Sequence, residues 1–91
     1  MNYIVDTHIL IWSFTEPEKL SRRVQNTLLN EENTIYYSQY SLWEISLKYS
    51  LKKLQLMQKT PEQFFEVLEG SFFTCKSIDS LELVTFYKLP I

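Results

Sequence analysis

The sequence predicts an α/β fold built on a short parallel sheet, and three observations carry that expectation. Runs rich in β-branched and aromatic residues, Tyr3-Ile4-Val5, Thr34-Ile35-Tyr36-Tyr37 and Phe72-Phe73-Thr74-Cys75, alternate with segments of helical periodicity. Serine, threonine or aspartate stands at the head of the helical segments, where a side-chain oxygen can cap free backbone N–H groups. A hydrophobic content of 45% with 15% aromatics marks a chain that packs a core, and 91 residues are enough for one small domain, 1–91, with a thin stability margin.

Tyr3-Ile4-Val5 does not alternate with polar residues and is expected to be a buried strand. Asp6 or Thr7 then caps a short helix through Trp12-Ser13, which Glu16-Pro17-Glu18 breaks. Ser21 caps a second helix with Val24, Leu28 and Leu29 on one face, and Asn30-Glu31-Glu32-Asn33 ends it with turn chemistry. After the second strand, Ser38 or Ser41 opens a long amphipathic helix carrying Leu42, Ile45, Tyr49 and Lys52-Lys53 toward Leu54. Thr60-Pro61-Glu62-Gln63 combines a cap, a proline at the first helical position and a capping-box glutamine, with Phe64, Val67 and Leu68 as the buried stripe and Gly70 as the stop. A third strand follows, and Ser77 to Asp79 is expected to cap a last helix carrying Leu81, Val84 and Tyr87. Three parallel strands usually have further neighbours, so elements beyond Ile91 are expected.

Composition removes several function classes. Net charge is −2, so no global basic field draws in nucleic acid, and the only basic concentration is Lys48 with Lys52-Lys53 and Lys59. Cys75 is the single cysteine and His8 the single histidine, which excludes a disulfide framework and a Cys/His zinc centre. Gly70 is the only glycine, which excludes a glycine-rich phosphate loop. No run approaches the roughly 20 apolar residues that span a bilayer, and the start lacks signal-peptide character, so a cytoplasmic protein without membrane contact is expected.

Two carboxylates remain as chemistry. Asp6 ends the first strand and Glu44 lies early in the helix that follows the second. In an open α/β sheet both would sit at the carboxyl edge, where ligands bind. Paired there, they could hold Mg²⁺ or Mn²⁺, which take oxygen ligands. Each also has a plain structural role: Asp6 is a preferred cap, and Glu44 lies four residues before Lys48, a surface pairing of about 0.2–0.5 kcal/mol. Thr7, Ser38 and Ser41 could position a phosphate or serve as caps, and His8 could carry a proton or sit as an ordinary surface histidine. Trp12 and Trp43 read as core or partner-facing aromatics.

Tyr3-Ile4-Val5-Asp6-Thr7-His8-Ile9-Leu10-Ile11-Trp12, Lys19-Leu20-Ser21, Ser41-Leu42-Trp43-Glu44-Ile45-Ser46-Leu47-Lys48, Lys53-Leu54-Gln55-Leu56 and Leu89-Pro90, in that order, resemble the first part of a PIN-domain protein of the VapC toxin type. The resemblance implies a three-layer α/β/α PIN-like fold whose C-terminal part is missing. It also implies a toxin of a toxin–antitoxin system: a Mg²⁺- or Mn²⁺-dependent endoribonuclease acting on RNA, held in check by a cognate antitoxin and forming homo-oligomers. Asp6 and Glu44 become the catalytic, metal-holding carboxylates, with Thr7 and Ser41 as supporting polar groups. The family's downstream segment of the His-x-Asp-Pro-Phe-Asp-Arg kind has no counterpart before Ile91, so the site is incomplete, metal binding is expected to be weak and catalysis impaired. The alternative expectation is a non-catalytic module that binds an antitoxin or associates with itself.

Overall fold

The computed structural model describes residues 1–77. It is a mixed α/β structure with a three-stranded parallel sheet: β1 (Asn2–Ile4), α1 (Thr7–Thr15), a 3₁₀ turn (Pro17–Lys19), α2 (Arg22–Leu29), β2 (Thr34–Ser38), α3 (Gln39–Ser50), α4 (Pro61–Glu69) and β3 (Phe73–Lys76). The expected last helix, with Leu81, Val84 and Tyr87, lies outside the described residues, as does Leu89-Pro90.

Strand order is β1-β2-β3, with Tyr3 opposite Ile35 and Ile35 opposite Phe73. Both connections step across the sheet in the same direction, and right-handed crossovers then place their helices on one face. Burial agrees with that placement: Ile35, Tyr37 and Phe73 on the helix-covered face are buried, whereas Ile4 and Thr74, in register with Tyr36 on the other face, are exposed. Leu10 and Ile11 of α1, Ile45 of α3, Leu56, and Phe64 and Leu68 of α4 complete the core. Phe14 ties its layers together, its ring 5.5 Å from Phe64 and 5.8 Å from Phe73 between centroids.

Several expectations are corrected, among them Val67 of the expected α4 stripe, which is exposed while Phe64 and Leu68 are buried. β1 is an exposed edge strand, Ile4 being 59% accessible, because it pairs with β2 alone and only Val5 reaches the core. Leu29 does not share the inner face of α2: it points to solvent, whereas Val24 and Leu28 are half-buried and Leu28 packs against the core. The long helix stops at Ser50, short of Leu54. Its end is a Schellman motif, in which Lys53 N–H donates to the Lys48 carbonyl and Lys52 N–H to the Tyr49 carbonyl, with Lys52 at φ 58° in the left-handed region. Glycine normally fills that position, because a Cβ there costs about 1–2 kcal/mol. Lys52→Gly is therefore expected to stabilise the fold by about 0.5–1 kcal/mol, after glycine's own backbone entropy, read as a higher urea midpoint.

Tyr37 supplies a second expectation. Burial, with the Cys75 thiol on the neighbouring strand and Glu69 beyond it, pushes its hydroxyl up to about 12 from 10.0. The unfolded chain therefore ionises first, and the stability this hydroxyl provides is intact below pH 10.0 and lost as pH rises toward about 12. Tyr37→Phe is expected to flatten that alkaline loss in urea midpoints measured across the same window.

Candidate functional site

Each candidate residue takes its position from a strand-to-helix junction. The β1 ladder runs on to Val5, whose N–H donates to the Tyr36 carbonyl at 2.9 Å, and the chain then turns into α1. Asp6 is the N-cap, its Oδ1 accepting from Ile9 N–H at 2.9 Å while the carboxylate stays exposed. At the neighbouring junction β2 passes into α3 without a loop, and Ser38 takes the cap by accepting from Ser41 N–H at 3.3 Å. Of the two possible caps for each helix, Asp6 and Ser38 fill the role, which leaves the hydroxyls of Thr7 and Ser41 free for another partner.

They find each other. Thr7 Oγ1 donates to Ser41 Oγ at 2.9 Å, across 34 positions of sequence, and the two residues are only 5% and 2% accessible. This contact fixes the start of α1 beside the start of α3 at the carboxyl edge of the parallel sheet. Asp6 directly precedes Thr7, and Glu44 follows Ser41 by one turn on α3. Glu44 is half-buried, with its Oε2 3.4 Å from Lys48 Nζ, so the expected surface pair is present. Both helix N-termini carry the positive end of the backbone dipole, which favours anionic groups at this edge.

The remaining candidates fall nearby in sequence without entering the pair. His8 is exposed with its ring 5.7 Å from Trp12, and Lys19 Nζ lies 5.5 Å from the Trp12 ring centroid on the cation–π contact. Among the described residues no group of three or more His, Cys, Asp or Glu side chains is placed to hold a metal ion. A shallow groove of about 580 Å³ lies along α4, lined by Met57, Gln58, Lys59, Gln63, Glu66 and Val67, and includes none of the candidates. No helix among the described residues is long and apolar enough to cross a membrane.

Carboxylate oxygens are the ligand type that a hard divalent cation takes, and Asp6 keeps one oxygen uncommitted to capping. The Thr7–Ser41 bond is the feature that sequence reasoning missed. Its signal was there, a threonine and a serine in the first turns of helices that follow parallel strands, but nothing in the residues said that they would face each other.

Ser41→Ala or Thr7→Val is expected to cost about 1–3 kcal/mol, because each leaves a buried hydroxyl without its partner. The double substitution should cost less than the sum, with a coupling of about 1 kcal/mol in urea denaturation, if the contact is the structural tie described.

Compared with protein-family models, with curated proteins and with solved structures, the chain matches none.

Proposed function

We propose that this chain is a PIN-like protein related to the VapC-type toxin ribonucleases, with Asp6 and Glu44 as the cation-holding half of an RNA-hydrolysing site. The observation that carries the reading is the buried Thr7–Ser41 hydrogen bond, which holds the helix starts next to these carboxylates together at the sheet edge. The sequence resemblance supports it as well, because two of the matching segments, those of Asp6-Thr7 and Ser41-Leu42-Trp43-Glu44, contain the residues of this hydrogen bond.

The reaction is hydrolysis of an RNA phosphodiester, in which a water oxygen bonds to phosphorus and the bond to the leaving ribose oxygen breaks. Asp6, through the oxygen not used in capping, and Glu44 would hold Mg²⁺ or Mn²⁺. When bound, such an ion supplies a water of lowered pKa and offsets phosphate charge. The N-termini of α1 and α3 favour the anionic phosphate at the same edge. Lys48, now at Glu44, would be released toward the substrate backbone once that carboxylate takes another partner. Thr7 and Ser41 act by position, not by contact with substrate, since both hydroxyls are buried and engaged with each other. The further oxygen ligands that full activity needs come from outside these residues. In a toxin–antitoxin pair the cognate antitoxin would restrain the activity by covering this edge.

Titration calorimetry with Mn²⁺ tests the reading. The parent chain is expected to bind weakly, and Asp6→Asn and Glu44→Gln are each expected to abolish binding. Asparagine caps as well as aspartate does, so loss in Asp6→Asn reports the ligand and not the helix. Binding untouched by both substitutions, or absent in the parent chain, overturns the proposal.

A further inference from the structure

The outward face of α3 joins exposed apolar side chains to a local excess of positive charge. Ser41 and Ile45 point into the core, so at about 100° per residue Trp43 and Leu47 point away from it, and Leu51 follows one turn on. Trp43 is 57% accessible, Leu47 40% and Leu51 54%. Directly after Leu51 the Schellman motif fixes the backbone of Lys52 and Lys53 and leaves both residues exposed. From Glu44 to Lys53 a single acid stands against three lysines, on a chain whose net charge is −2. Glu44 engages Lys48, so the excess within this stretch is that of Lys52 and Lys53.

We propose that this face of α3 is a contact for an anionic phospholipid surface, with the helix lying in the plane of the membrane. Trp43, Leu47 and Leu51 enter the boundary between headgroups and acyl chains, and Lys52 and Lys53 meet the lipid phosphates. Each part suits that occupant. The leucines find acyl chains, and tryptophan is at home at an interface that is apolar on one side and wet on the other. Lysine lays its stem along apolar surface while its ammonium reaches the negative headgroups, so the charge complements the lipid where the apolar stripe ends. Single-stranded RNA shares the phosphate chemistry, but Leu47 and Leu51 offer no face on which a base can stack. The contact needs no spanning helix, of which the described residues have none, and the expectation of no membrane contact, drawn from the lack of a long apolar run, bears on spanning alone. Three apolar side chains and two lysines make a small anchor, so the binding is reversible and weakens with salt. It is independent of the nuclease reading and stands or falls separately from it.

Co-sedimentation with lipid vesicles tests the proposal. The parent chain is expected to bind vesicles of phosphatidylcholine and phosphatidylglycerol in equal parts, to be released by added salt, and to bind phosphatidylcholine alone about tenfold more weakly or not at all. Leu47→Glu is expected to abolish binding with an unchanged helical circular dichroism spectrum, since Leu47 lies outside the core. Lys52→Glu combined with Lys53→Glu is expected to lower binding about tenfold or more. Fluorescence quenching by lipid brominated in its acyl chains locates the contact. Quenching is expected in the parent chain and its loss in Trp43→Phe, where Trp12, packed against the core, is the tryptophan that remains. Absence of binding to the anionic vesicles overturns the proposal, as does binding that survives Leu47→Glu or quenching that persists in Trp43→Phe. A chain that ignores vesicles but binds single-stranded RNA, and loses that binding in Trp43→Ala, would overturn it in favour of a nucleic-acid surface.

Discussion

A hydrogen bond between two side-chain hydroxyls, from Thr7 to Ser41, sets the geometry on which the rest of this small structure depends. Two polar groups buried at the meeting of two helix starts satisfy each other there, where an unpaired hydroxyl would cost about 1–3 kcal/mol. Pairing fixes the rotation of both helices. With Thr7 turned inward, Leu10, Ile11 and Phe14 follow on the same face of α1, and with Ser41 turned inward, Ile45 follows on α3. The polar contact at the sheet edge and the apolar core beneath it thus lie on the same faces of the two helices.

The same rotation decides what is left outside. On α1 it leaves Asp6 at the exposed cap position. On α3 it leaves Glu44 at the border between core and solvent and turns Trp43 and Leu47 fully outward. Glu44 thus lies between the buried face of α3, with Ser41 and Ile45, and its exposed face, with Trp43 and Leu47.

Much of the local structure was legible in the residues. Asp6, Ser21 and Thr60 cap the helices they were expected to cap, Thr60 and Gln63 form a complete capping box, and all three strands fall within a residue of the expected runs. The caps rest on interactions three residues apart, which spacing reveals, and the strands on runs of β-branched and aromatic residues. What spacing could not reveal depends on partners far along the chain. β1 has the apolar composition of a buried strand, but its place at the sheet edge exposes it. The end of α3 at Ser50 depends on a lysine accepting a left-handed conformation that its sequence neighbours do not advertise. The candidate carboxylates were identified from the residues, whereas the contact between their neighbours Thr7 and Ser41, 34 positions apart, was not.

Anomalous diffraction from crystals soaked in Mn²⁺ distinguishes a cation site shared by Asp6 and Glu44, as proposed, from two unconnected carboxylates. A shared site gives a manganese peak with an oxygen of Asp6 and an oxygen of Glu44 both in its coordination shell, at about the 2.0–2.6 Å typical of hard cations. A peak bound by one of the carboxylates without the other, or found only elsewhere on the chain, would contradict it.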